Sequence, residues 1–227
     1  MNLSILETPG QKQVVKGFLA KAMAYHQRGE LNKAERLYRR ALKVEPNNID
    51  ALHLSGLVAH QSGRNTRAVK LIRRAINNDN SHAVFYINLA AIYNKMQQWS
   101  EAEAAVLKFL ELSPEDSGGW EGLGQALAGL GKIAPAVKAL KRSISLSPDN
   151  PLLYCNLATL LVTLGRLEEA EVACRSALDL QPSLAKAFHG LGVAQSSLGK
   201  FEEAVENFDR AHKLEPLNEQ TIINLAS

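Results

Sequence analysis

An all-α solenoid of stacked antiparallel helix pairs is the fold this sequence predicts, and three observations carry it. Proline recurs every 34 residues at Pro114, Pro148, Pro182 and Pro216, with Pro46 two periods before Pro114 and Asn80 in the slot between. A repeat near that length marks a stack of small supersecondary units rather than one globular core. With the proline set at position 32, position 20 is alanine in every unit: Ala34, Ala68, Ala102, Ala136, Ala170 and Ala204. Position 8 is always small, reading Ala22, Gly56, Ala90, Gly124, Ala158 and Gly192. Bulky residues at positions 4, 11 and 24 are expected to fill the space beside these small ones, a size alternation that specifies one packing.

The register orders the elements. Residues 1–14 form an N-terminal segment and the start of the first helix, with Leu3, Ile5 and Leu6 apolar. Six units follow at 15–48, 49–82, 83–116, 117–150, 151–184 and 185–218, and residues 219–227 begin a partial seventh unit or capping helix. Within a unit, positions 4, 7, 8 and 11 share one helical face and 20, 24 and 27 another, so helix A and helix B are amphipathic partners. Gly29, Gly63, Gly131, Gly165 and Gly199 at position 15 end helix A, because a residue without a Cβ takes the left-handed conformation of a helix C-terminus. Proline at 32 then stops helix B. Trp99 stands at position 17, where Leu31, Ile133, Leu167 and Phe201 recur, and is expected in the core.

Departures cluster in the first two units: Lys21 and Ser55 at position 7, Asn65 at position 17 and Asn80 for proline. In the fourth unit five glycines between Gly118 and Gly129 weaken helix A. The seventh unit restarts with Ile222, Leu225 and Ala226. Solenoids end on a polar outer face, so the expectation is a fragment of a longer protein or an end covered by a partner.

Composition excludes several classes. With 46% hydrophobic and 22% charged residues the chain is an ordinary folded protein rather than a disordered one. No apolar run approaches the ~18 residues that span a bilayer, and the start lacks a secretory layout, so a cytoplasmic protein without a membrane span is expected. Cys155 and Cys174 read as reduced thiols, neither a disulfide nor a zinc site. Residues 1–82 hold 14 Lys/Arg against 6 Asp/Glu, net +8, and the remainder of the chain is net −5. Arg36, Arg39, Arg40, Lys43, Arg67, Lys70, Arg73 and Arg74 make helix B of the first two units basic, open to an acidic protein, a membrane surface or nucleic acid. Position 26 is basic in five of six units, however, which reads mostly as a solvated face, and no interleaved aromatics offer base stacking. Nucleic acid is therefore not expected as a partner. His26, His53, His60 and His189 are spaced too widely to share a metal ion, and no nucleophile, base and acid fall together. Neither catalytic residues nor metal ligands nor cofactors are expected.

These columns resemble the tetratricopeptide repeat (TPR) family, most fully in the fourth unit with Trp120, Leu123, Gly124, Ala136, Leu140 and Pro148. The resemblance implies a right-handed superhelix whose helix-A positions 2, 5, 6, 9, 12 and 13 line an inner, ligand-binding surface. Position 6 there reads Ala20, Leu54, Asn88, Gly122, Asn156, Gly190 and Asn224. An asparagine carboxamide offers both a donor and an acceptor, the pair that holds a peptide unit whatever its side chain. Asn88, Asn156 and Asn224 resemble the asparagine ladder of O-linked N-acetylglucosamine transferases, and Gly122 and Gly190 between them would leave room for ligand side chains. The alternative reading has these amides bonding to neighbouring helices or water. Gln125, Asn156 and Lys186 occupy inner positions related to the carboxylate grip of heat-shock co-chaperones, but Glu121 and Gly190 stand where that grip needs lysine and arginine. His53, His189, Leu54, Leu57 and Ile87 complete the candidate peptide-binding set. The apolar inner residues of the first three units await either a partner segment or the chain's own Leu3–Leu6.

The expected function is a non-catalytic protein-interaction scaffold binding an extended protein or peptide segment along the helix-A surface, with self-association through the terminal repeats as a further mode. The alternative is the substrate-recruiting region of a larger glycosyltransferase- or sulfotransferase-type enzyme, as in prokaryotic arrays that the repeats resemble.

Overall fold

The computed structural model describes residues 9–216, and among these the chain forms twelve helices and no strand. They fall into two compact units, residues 1–112 and 113–227. Unit 1 holds α1 (Pro9–Gln27), α2 (Leu31–Val44), α3 (Ile49–Gln61), α4 (Asn65–Asn78), α5 (Ala83–Lys95) and α6 (Trp99–Leu112). Unit 2 holds α7 (Ser117–Gly129), α8 (Ile133–Leu146), α9 (Pro151–Thr163), α10 (Leu167–Leu180), α11 (Ala185–Ser197) and α12 (Phe201–Leu214). In both units each odd-numbered helix packs chiefly on the helix that follows it, and each hairpin then packs on the next. Leu3, Ile5 and Leu6, like Ile222, Asn224, Leu225 and Ala226, lie outside the described residues.

Local chemistry explains where the helices start and stop. Asn48, Asp116 and Asn150 cap α3, α7 and α9 by accepting from the backbone N–H of Ala51, Gly119 and Leu152, which satisfies donors the helix leaves open. The odd-numbered helices run into a left-handed residue. That residue is glycine, with φ between 71° and 78°, in five units, but in the third it is Gln97 at φ 57°. A side chain in that conformation is strained by about 1–2 kcal/mol. Gln97→Gly is therefore expected to stabilise unit 1 by about 0.5–1 kcal/mol in urea titration, the gain being what remains after the added freedom of the unfolded chain. Asn80, in the slot that lacks proline, is spanned by a side-chain bridge: Asp79 Oδ1 accepts from both N–H and Oγ of Ser81 at 2.9 and 2.7 Å.

The core follows the small columns. All six alanines of position 20 are at most 2% exposed. Position 24 packs against them with Tyr38, Ile72, Val106, Leu140, Cys174 and Phe208, all buried. Position 4 corrects the sequence reading, since of Phe18, Leu52, Tyr86, Trp120, Tyr154 and Phe188 only Leu52 is buried and the aromatic rings are half-buried. Each ring outreaches its helix pair and puts its edge or polar handle at the rim: Trp120 Nε1 donates to the Pro114 carbonyl at 2.8 Å, and Arg40 stacks over Phe18 at 4.4 Å. Trp99 is likewise half-buried rather than core, and Phe201 in the same column is 64% exposed. Asn65, the polar intruder of that column, bonds through Oδ1 to His60 Nδ1 at 2.8 Å.

Two ion clusters staple neighbouring hairpins. Glu35 on α2 receives a bidentate pair from Arg64 at 3.1 and 2.8 Å, with Arg67 at 2.6 Å and Arg39 at 3.1 Å. In unit 2 the same column brings Glu171 to Arg175 at 2.6 Å and Lys200 at 2.9 Å. The Arg64 hydrogen bonds lead in holding the Glu35 carboxyl at about 2, well below its usual 4.5. A depressed carboxyl stabilises the fold above its unfolded value and loses that contribution as the pH falls through its folded one. Unit 1 is thus expected to lose about 1–2 kcal/mol between pH 4.5 and 2 through this group, discounted for solvent around the arginines. Comparing Glu35→Gln with wild type in acid urea titrations checks this, because the variant should be weaker at neutral pH and flatter across that window.

Candidate peptide-binding groove

Unit 2 contains a groove of about 430 Å³ lined by Glu121, Gly124, Gln125 and Ala128 of α7, Leu140 of α8, Asn156, Thr159 and Leu160 of α9, and Lys186 of α11. Its volume falls within the ~300–1,000 Å³ typical of ligand sites. The small residues Gly124 and Ala128 open it. Without a side chain at Gly124, buried Leu140 shows through from the helix behind and gives the groove an apolar floor.

Polar groups cross the groove as a rail. Asn156 Nδ2 donates to Glu121 Oε1 at 3.1 Å, and Lys186 Nζ donates to Asn156 Oδ1 at 2.7 Å. One carboxylate, one carboxamide and one ammonium from three successive odd-numbered helices thus form a chain with a net charge near zero. Gln125 is exposed at the groove edge. Thr159 turns its hydroxyl back to the Cys155 carbonyl at 3.0 Å, so its methyl is left for the wall.

Of the residues selected from sequence, the structure gathers Gln125, Asn156 and Lys186 in this groove. His189, also on α11, packs against the Phe208 ring at 5.6 Å instead, and burial lowers its pKa. The others belong to unit 1. There Asn88 Nδ2 meets His53 Nε2 at 2.8 Å, and the His53 ring packs on Phe85 at 4.6 Å. His53 is buried, which lowers its pKa and keeps it neutral near pH 7. Leu54 packs against the cluster around Tyr38, and Leu57 and Ile87 are half-buried. Asn224 lies outside the described residues.

Both described asparagines of position 6 already have partners on neighbouring helices. Gly190 is a correction of a different kind, because a Cβ there would stand 3.0 Å from Cys174 Sγ. Its smallness serves the packing of α10 on α11 rather than a ligand side chain. Both cysteines are free and buried, and burial pushes the Cys174 thiol up to about 12. Sequence reasoning missed Leu140, Ala128, Thr159 and Leu160 as groove residues. Only the glycine at position 8, facing a leucine at position 24, signalled where a floor would open.

Comparison with known proteins agrees with this architecture. Tetratricopeptide repeat protein 8 of Caenorhabditis elegans is 25% identical over 115 residues, which are 50% of this chain and 23% of that protein. The chain therefore spans about a quarter of that relative's length. Among solved structures, PilW, described as a widely conserved type IV pilus biogenesis factor, superposes with a TM-score of 0.81 at 22% identity, covering 93% of this chain and 99% of that one. YrrB, described as a TPR protein with an unusual peptide-binding site, gives 0.67 at 20% identity, covering 84% of this chain and 98% of that one. At such identities these two likenesses show the fold. The family model described as Cilia and flagella-associated protein 70 C-terminal domain, a TPR model, matches residues 4–227, and with its helix hairpins and repeat columns the chain belongs to that TPR family.

Proposed function

We propose that this chain is a protein-interaction scaffold whose unit-2 groove holds an extended peptide segment of a partner. The TPR fold is that of interaction scaffolds in general, and no helix among the described residues is long and apolar enough to cross a membrane. The observation that carries the finer reading is the Glu121–Asn156–Lys186 rail over an apolar floor. A ligand on that rail must offer donors to Glu121 and acceptors to Lys186 and Gln125 within a short span. A peptide backbone offers both at every residue, and the Leu140 and Leu160 floor takes an apolar side chain.

Displacing the rail from itself costs hydrogen bonds that the peptide must replace, which favours selective over tight binding. The test is selection of displayed random peptides on the wild-type chain, followed by titration of the best peptide against Gln125→Ala/Lys186→Ala. Both side chains are exposed, so the fold should be retained. Affinity is expected to fall about tenfold or more, equal to about 1.4 kcal/mol. Binding unchanged by the double substitution, or a selection that yields no peptide, would remove the groove from the account.

A further inference from the structure

The outward faces of the even-numbered helices carry a charge pattern that the groove does not use. In unit 1, α2 and α4 are dense in cations. Arg39 and Arg67 are answered by Glu35, Arg74 by the Pro46 carbonyl, and Arg40 lies over Phe18. Arg36, Lys43, Lys70 and Arg73 remain exposed with no carboxylate partner among the described residues. In unit 2 the outward sign reverses. Arg166 and Lys141 answer Glu169, and Arg175 answers Glu171, but Glu168, Glu202 and Glu206 are exposed with no cationic partner among the described residues.

The two sets match in register as well as in sign. Arg36 and Lys70 occupy one column of the 34-residue repeat on successive even-numbered helices, and so do Glu168 and Glu202. Each pair is therefore separated by one repeat step, and the cations of one face are spaced as the carboxylates of the other. Apolar surface accompanies both. Val172, one turn beyond Glu168, is 63% exposed. In unit 1 a groove of about 340 Å³ floored by Ile76, Tyr86, Leu89 and Tyr93 is edged by Arg73 and Lys108, with one carboxylate, Glu101, beside them. An exposed apolar residue beside acid and an apolar groove whose rim carries two cations to one carboxylate are complementary halves of one contact.

We propose that the α2–α4 face of one molecule docks on the α10–α12 face of a second copy. The two faces differ, so the contact is heterologous and joins molecules head to tail, extending into open chains unless the rotation closes a ring. Sedimentation equilibrium tests this with Arg36→Glu/Lys70→Glu and Glu168→Lys/Glu202→Lys, all exposed positions whose variants should keep the wild-type helical spectrum. The wild-type mass is expected to rise above the 24.8 kDa monomer with concentration in about 0.02 M salt. It should return to the monomer in about 0.5 M salt, where screening shortens to roughly 4 Å. Each charge-reversed variant alone should stay monomeric, because like charges then face each other, and an equimolar mixture of the two should associate again. A wild type that stays monomeric in low salt overturns the proposal, also where its α2–α4 face binds polyglutamate or a DNA oligonucleotide. Association that survives in either variant alone, or a mixture that fails to associate, overturns it as well.

Discussion

Tyr38→Ala is expected to cost unit 1 about 3–5 kcal/mol, the range for a buried aromatic truncated in a core that cannot collapse around the loss. Tyr38 has no exposed surface and is packed among Ala22, Ala34 and Val58, with Leu19, Tyr25, Leu31, Leu37 and Leu54 around them. Two of those neighbours are alanines whose helices already meet closely, so little can move into the space. The hydroxyl tells a second story. Tyr38 Oη is buried without a hydrogen-bond partner among the described residues, and burial pushes its pKa from 10.0 up to about 12. Tyr38→Phe keeps the ring and removes the orphaned group, so it is expected to match or exceed wild-type stability by up to about 1 kcal/mol. The sign with pH follows. The unfolded tyrosine ionises first, so the wild type loses stability as the pH rises from 10.0 to about 12, and Tyr38→Phe lacks that component. Urea titrations at neutral and alkaline pH measure both effects. A Phe variant weaker than wild type would mean that the hydroxyl is bonded in solution.

Gly192→Ala should destabilise unit 2 by about 1–2 kcal/mol, although alanine is the better helix former by about 1 kcal/mol. The new methyl would stand 2.7, 2.8 and 3.0 Å from three ring atoms of Phe208, which is itself buried. A flat ring held on both sides cannot yield by rotating one bond. The same substitution at Gly124, in the same column, meets Leu140 Cγ and Cδ2 at 3.0 and 3.2 Å. A leucine end can shift by that amount, so Gly124→Ala is expected to be neutral within about 0.5 kcal/mol, helix propensity offsetting the contact. Gly56→Ala meets Ile72 Cγ1 at 2.6 Å and should resemble Gly192→Ala. Melting the three variants side by side reads the column. Equal effects at all three would show that the partner at position 24 does not set the cost.

That comparison also shows how far columns go. Position 8 is small in every unit, which is enough to bring two helices together. Whether it must be glycine depends on which side chain of position 24 lies opposite, and Phe208, Leu140 and Ile72 differ there. The polar pair of the sixth unit was hidden for the same reason. Gln195 stands where the sequence pattern asks for bulk, and only the fold shows Asn207 Nδ2 meeting its Oε1 at 2.7 Å, with Glu203 Oε2 accepting from its Nε2 at 2.7 Å. Position 4 misled in the other direction. Aromatic residues at helical spacing predict a core, but a ring longer than the gap it sits over ends at the rim, as Trp120 does.

The inner residues make the division plain. Periodicity alone established the helix pairs, their glycine and proline punctuation and the buried alanine column, because each of these follows from spacing within 34 residues and the geometry of one helix. The period gave Asn88, Asn156, Gln125 and Lys186 their positions on helix A, and the resemblance to the TPR family implied that those positions face inward. Neither could say what they touch. The Asn156 amide lies between Glu121 and Lys186, 35 and 30 residues away, and Asn88 bonds to His53, 35 residues before it. Those partners become neighbours only when one hairpin stacks on the next. A repeat states the direction in which a side chain leaves its helix, whereas the distance to a partner depends on two helices at once.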